Sequence, residues 1–288
     1  MTSPDRLVTV DWSAAATPRE GVDSIWVCLL EDDTPALANP RTRREAEALL
    51  TELCGRSGRT LLAADVALAY PAGTAQAADL CRLPGAAAWN AICEHLETEL
   101  RDGLDNRNNR WEVAAALNAR FGSNQFWGAP VSRSSAWLPV RKPARPPLPW
   151  FRASEGALRA SGMHPASPWQ LLGVGSVGSQ ALTFIPVMQR LRRSMPGRVL
   201  VWPMETGMVP DPWNGAHHRS VVTESWTTLA PADEVDAVDH QVRDARQVVA
   251  LARFLRRQLD AGAPLFQPPA ATPHLDVVNE EGWVLGVV

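Results

Sequence analysis

Two aspartates close two short apolar runs. Asp11 follows Leu7-Val8-Thr9-Val10, and Asp65 follows Leu61-Leu62-Ala63-Ala64. Asp239 and Asp244 stand at the start of a strongly amphipathic stretch that runs to about Gln258. Separate carboxylates gathered by a sheet are a means of holding divalent metal for attack on a phosphate ester. Hard cations such as magnesium or manganese take oxygen ligands, and two such ions can stabilise both the attacking and the leaving oxygens. Aspartate also suits turns and helix caps, so spacing alone leaves both roles open. Glu205 follows the apolar run 199–202, and Glu224 lies within the alternating run 220–226. Either could complete a carboxylate shell or orient water, and either could be a surface or capping acid. His240, between Asp239 and Asp244, could act as a base or ligand or could cap the helix. The adjacent His217 and His218 have diverging side chains and are expected to be solvated.

A second group of residues could meet the phosphate. Gly173-Val174-Gly175-Ser176-Val177-Gly178 has the glycine spacing of a dinucleotide fingerprint, which requires a strand before it and an acid about twenty residues after. Pro165 and Pro168 make a poor strand, and Arg198 stands where the acid should be. The turn opens a helix, so Gly175, Ser176 and Gly178 could present free backbone N–H groups to an anion, or the glycines could permit close helix packing. The polar run Asn106, Asn108, Asn109, Arg110 and Glu112 precedes another helix. It is richer than a cap requires, which makes Asn109 and Arg110 candidates for substrate contact. Between residues 132 and 198 there are ten basic residues, Arg152 among them, and one acid, Glu155. That segment carries +9 in a chain of net charge −3. It could face an anionic substrate or nucleic acid, or pair with the acidic remainder. Trp127, Trp137, Trp150 and Trp169 lie in or beside it and could stack on bases or pack a core.

The elements that must position these residues read as follows. Residues 7–12 and 24–30 are expected strands, with Glu31-Asp32-Asp33 and Pro35 ending the second. Residues 41–54 have helical spacing and Gly55 as a cap. The continuous apolar run from Thr60 to Leu68 predicts a buried strand, broken by Pro71 and Gly73. Residues 86–100 and 111–121 are expected helices, and 129–149 is a proline-rich connection. Residues 178–193 predict a helix with Pro186 inside it, 199–202 and 220–226 predict strands, and 242–258 is the clearest amphipathic helix. The apolar tail 282–288 predicts an edge strand. This order argues a mixed α/β sheet with helices on both faces, in which sites form at the carboxyl ends of strands. Asp11 and Asp65 are both at such ends.

At 288 residues with 45% hydrophobic and 20% charged content, the chain has the composition of a globular protein. No apolar run reaches the roughly 18 residues needed to span a bilayer. The polar start has no signal-peptide pattern, so a cytoplasmic protein with no membrane partner is expected. Cys28, Cys54, Cys81 and Cys93 form no Cys-x-x-Cys pair and are expected to be buried thiols. Lys142 is the one lysine and is followed by Pro143, which excludes a Walker P-loop. Oligomeric state is not legible.

Several segments resemble a bacterial family of unassigned function with a ribonuclease H-like fold: residues 10–15, 23–26, 108–114, 126–130, 175–180, Trp202-Pro203-Met204-Glu205-Thr206-Gly207, and Glu281-Gly282-Trp283. Some members carry a cobalamin-biosynthesis label. The resemblance covers nearly the whole chain. It implies a single ribonuclease H-like domain over 1–288, with a helical and Pro-rich insertion at about 72–168 after the fourth core strand. It further implies an acid on the first strand (Asp11), one on the fourth (Asp65), and one on the last helix, Asp244 with Asp239 as its rival. Around Asp65 the family pattern is Phe-Asp-Phe-Pro-Phe-Gly-Tyr-Pro, whereas here it is Ala64-Asp65-Val66-Ala67-Leu68-Ala69-Tyr70-Pro71. The acid and Tyr-Pro are kept, and the aromatic and glycine content is lost.

The expectation that follows is a magnesium- or manganese-dependent, nuclease-like hydrolase acting on nucleic acid or a nucleotide. Asp11, Asp65 and Asp244 would be its ligands, Glu205 or Glu224 its shell, and Gly175, Ser176, Gly178, Asn109, Arg110 and Arg152 its substrate contacts. A non-catalytic binding or scaffold protein on the same fold is the alternative. A nucleotide-binding relative of actin-like ATPases and sugar kinases ranks third. Such proteins need a phosphate-binding turn after the first strand, and Ser13-Ala14-Ala15-Ala16-Thr17-Pro18 has no glycine before Gly21.

Overall fold

The computed structural model describes residues 3–173, 175–267 and 275–287. The elements in chain order are β1 (Arg6–Asp11), β2 (Trp26–Glu31), β3 (Thr34–Ala38), α1 (Arg43–Gly55), β4 (Thr60–Asp65), α2 (Thr74–Ala77), α3 (Ala86–Glu99), α4 (Arg110–Phe121), α5 (Ala153–Ala160), α6 (Gly178–Ser194), β5 (Val199–Val201), β6 (Ser220–Glu224), α7 (Ala232–Asp236), α8 (Arg243–Asp260) and α9 (Leu275–Glu281). The six strands form one mixed sheet in the order β3-β2-β1-β4-β6-β5. β1, β2 and β3 run as an antiparallel meander. β1, β4, β6 and β5 are mutually parallel.

The apolar runs of β1 and β4 lack alternation because both of their faces are buried. Val8, Val10, Leu62 and Ala64 pack on one face with Leu50 and Leu53 of α1, Ile92 and Leu96 of α3, and Leu182 and Ile185 of α6. Leu7, Leu61 and Ala63 pack on the other face with Val248, Leu251 and Leu255 of α8. Thr9 shares this second face, and its hydroxyl donates to the carbonyl of Val248 at 2.7 Å.

Three sequence expectations are corrected. Asp32-Asp33 with Pro35 does not end the meander but turns it into β3. Both aspartates adopt positive φ (48° and 59°), as a two-residue hairpin turn requires, and Pro35 is tolerated because β3 is an edge strand. α5 lies just after the proline-rich connection, where no helix was expected. The tail does not form an edge strand: α9 is followed by one isolated bridge between Glu224 and Val284, and Val288 lies outside the described residues. The 129–149 connection is irregular apart from one short turn of 3-10 helix at Val131–Arg133. No described helix is long and apolar enough to cross a membrane.

Candidate functional site

β1 and β4 are paired in parallel register, Asp11 opposite Asp65. Side chains alternate along a strand, so both carboxylates project from the face that also carries Leu7, Leu61 and Ala63. This is the face covered by α8. Asp244 sits in the first turn of α8, and its Oδ2 accepts the backbone N–H of Asp23 at 2.9 Å. Four acids thereby gather at one end of the sheet. The Asp11 carboxyl is held well above the ordinary carboxylate range, first by burial and then by the charges of Asp65, Asp244 and Asp23. Burial likewise raises Asp65, against two hydrogen bonds that lower it. These come from the N–H (3.1 Å) and hydroxyl (2.6 Å) of Thr227, both to Asp65 Oδ2. Among the described residues, no ion pair reaches Asp11, Asp65 or Asp244, and Asp23 has one with exposed Arg19 at 3.8 Å.

The donor set suits a hard cation. Asp65 and Asp244 each have one oxygen fixed by the protein and one without a hydrogen bond among the described residues, and like charge at Asp11 is what a cation would relieve. As the side chains stand, no group of three or more His, Cys, Asp or Glu among the described residues is arranged to hold a metal ion.

The other predicted acids lie elsewhere. Asp239 is exposed and outside α8, and its charge is absent from those acting on Asp11. Glu224 has the strand parity of Val222, so it projects from the opposite face to Asp65. It is buried there against Arg152, with Arg152 Nη2 at 2.6 Å from Oε1 and Nη1 at 2.7 Å from Oε2. Glu205 lies beyond edge strand β5, paired with Arg192 at 2.6 Å. His240 packs its ring on Trp26 at 5.1 Å and accepts the N–H of Val242.

The predicted anion contacts divide in the same way. Arg152 is 1% exposed and grips both Glu155 and Glu224. Burial would lower its pKa, but the two carboxylates outweigh that and keep it charged. It is a structural cation, closed to an incoming phosphate. Asn109 closes a loop: its Oδ1 accepts Arg101 N–H (2.7 Å) and its Nδ2 donates to the Glu99 carbonyl (3.0 Å). Gly178 is required by packing, because a Cβ there would stand 2.6 Å from the Pro168 carbonyl oxygen and 2.7 Å from that of Gln170. Gly175 is exposed, with φ of 69°, and Ser176 is half-buried beside it; Val174 lies outside the described residues. Arg110 donates to Ser179 Oγ, in the first turn of α6, at 3.1 Å. Burial, then the charge of Arg43, lowers its pKa to about 10, and among the described residues no carboxylate pairs with it. Gln180 Nε2 donates to the Trp12 carbonyl at 2.6 Å, tying the start of α6 to the end of β1.

One cavity includes Asp65 of the first group and Gly175 of the second in its lining. It measures about 490 Å³ and is lined by Asp65, Glu224, Glu155, Gly175 and a set of apolar residues that includes Met163, Pro165 and Trp226. Sequence reasoning missed Asp23, Thr227 and this apolar wall. Asp23 and Thr227 act through backbone N–H groups or a hydroxyl beyond strand ends, where no periodicity marks them. No family model, curated protein or solved structure matches the chain.

Proposed function

We propose that the chain is a metal-dependent phosphoryl-transfer enzyme of hydrolase type on a ribonuclease H-like fold, acting on the phosphate ester of a nucleotide or nucleic acid. One observation carries this reading. Two adjacent parallel strands end in Asp11 and Asp65 on one face, joined by Asp244 and Asp23, with no cation against Asp11, Asp65 or Asp244 among the described residues. The fold assignment draws support from the elements concerned: the first strand, the fourth strand and the long helix near the C-terminal end bear the three acids that the family resemblance implies. Magnesium or manganese, held by Asp11, Asp65 and Asp244 with water completing the shell, would supply charge stabilisation to phosphoryl oxygens. Thr227 orients the Asp65 carboxylate, and the Asp23 N–H fixes that of Asp244. The N–H groups of Ser176 and Gly178 are taken by the carbonyls of Gly173 and Gln170, which leaves those of Ser179 and Gln180 in the first turn of α6 to meet an anion, and Arg110, in no ion pair among the described residues, adds a positive charge beside Ser179.

The test is manganese titration calorimetry on the wild type, Asp11→Asn and Asp65→Asn, with and without a nucleotide present. Saturable binding that either substitution abolishes is the expected result. Equal binding by all three proteins would sink the proposal. A second reading, a non-catalytic binding protein, is favoured by the lack of a three-ligand cluster as the side chains stand. It would be preferred if the wild type bound no manganese even with nucleotide.

A further inference from the structure

The cavity beside Asp65 is within the size range of small-molecule sites, roughly 300–1,000 Å³. Its walls are largely apolar. Met163, Pro165 and Ala166 come from the segment after α5, Val177 precedes α6, and Trp226 follows β6. Met163 is 40% exposed and Trp226 is half-buried, so both present surface to the space. Of the three lining carboxylates, Glu155 and Glu224 are in ion pairs with Arg152; Asp65 has none among the described residues. The cavity therefore has an apolar, aromatic wall, with His164 and Thr228 also in its lining, and one carboxylate, Asp65, that has no ion pair among the described residues.

We propose that this cavity is the ring pocket for a single nucleoside phosphate, the heteroaromatic ring lying against Trp226 and Met163 and the phosphate directed to the Asp65 end. The position of the phosphate rests on the phosphoryl-transfer reading above; the position of the ring does not. A planar heterocycle stacks on an indole, and a methionine sulfur makes favourable contact with aromatic rings. A polymer would need a track of unpaired cations along its backbone. None of the ten basic residues of the segment lines the cavity, and five of them, Arg133, Arg152, Arg190, Arg192 and Arg193, are in carboxylate pairs.

The experiment is equilibrium binding of AMP, GMP, CMP and UMP, of ribose 5-phosphate, and of a single-stranded 12-nucleotide DNA, each with and without manganese. The proteins are the wild type, Trp226→Ala and Ala166→Trp. At least one nucleoside monophosphate is expected to bind about ten-fold or more tightly than ribose 5-phosphate, the gain expected of base–aromatic stacking. Trp226→Ala should remove that advantage. Ala166→Trp, at a half-buried wall position, should block the pocket while the protein keeps its circular-dichroism spectrum and thermal midpoint. The inference is overturned if all four monophosphates bind no better than ribose 5-phosphate, if both variants leave affinity unchanged, or if the oligonucleotide binds more tightly than any mononucleotide. Ring selectivity without manganese binding would support the pocket and remove the metal reading. Manganese binding through Asp65 without ring selectivity would do the reverse.

Discussion

At the scale of the residue, Asp11 is the most perturbed group of the acid cluster, and its perturbation has a sign. Its carboxyl is raised in the folded chain, whereas in the unfolded chain it titrates near the ordinary value of about 3.9. Below both values it is protonated in either state and costs nothing. As pH rises between them, the unfolded chain releases the proton first, the native state holds more protons, and stability falls. Above the raised value the full penalty remains. Asp11→Asn should therefore stabilise the apo protein at pH 7. The gain should vanish at about pH 3, and thermal melts at both pH values check it. Manganese should raise the midpoint of the wild type by mass action and leave that of Asp11→Asn nearly unmoved. Arg152 makes the opposite case. Replacing it with Met leaves Glu155 and Glu224 buried without their cation, a loss expected to cost about 3–5 kcal/mol. Urea unfolding would read it; full stability with weakened phosphate binding would contradict the structural role.

At the scale of the element, the glycines before α6 separate packing from exposure. Gly178→Ala pushes a Cβ to 2.6 Å from a backbone carbonyl oxygen, which can be relieved only by moving the start of the helix. Gly175→Ala meets open space and bears only its positive φ, worth about 1–2 kcal/mol. The first substitution should destabilise more than the second in urea, and an equal loss would refute the packing account. These elements also mark where the sequence could be read. The apolar runs of β1 and β4 and the stripe of α8 were legible because burial on a strand or helix face leaves a periodic trace. β3 was not: its turn and its proline are breakers by composition, and only its edge position makes them compatible with a strand. α5 and α9 are short, and their stability comes from tertiary contacts of Arg152, Glu280 and Glu281. The strand-end aspartates were legible as candidates. That Glu224 faces away from them follows from register and parity, which required knowing that β6 lies beside β4.

At the scale of the whole molecule, half of the ten basic residues in the +9 segment are paired internally, and three of these arginines tie α3, α1 and β6 to distant parts of the chain through Glu97, Glu47 and Glu224. The C-terminal segment does the same with carboxylates. Glu281 accepts the N–H groups of Ala72 (2.7 Å) and Ala153 (2.6 Å), and its carbonyl accepts Arg152 Nη1 at 3.2 Å. Glu280 accepts the N–H of Gly73 at 2.8 Å, and Leu285 N–H donates to the Glu224 carbonyl at 2.9 Å. One short segment thus fixes the chain after β4, the start of α5 and the end of β6, which together frame the cavity beside Asp65. Hydrogen bonds to charged groups contribute about 1.5–3 kcal/mol each. Glu281→Ala, which removes two of them, should cost about 3–6 kcal/mol in urea unfolding. Because α5 leads directly into the wall at Met163, the same substitution should speed amide exchange at Ala72 and Ala153 and weaken nucleoside monophosphate binding, although Glu281 does not line the cavity. Manganese affinity should change less, since Asp11 and Asp244 are held by β1 and α8, with which Glu281 shares no hydrogen bond among the described residues. An equal loss of both would mean that the segment supports the fold as a whole and does not selectively frame the pocket.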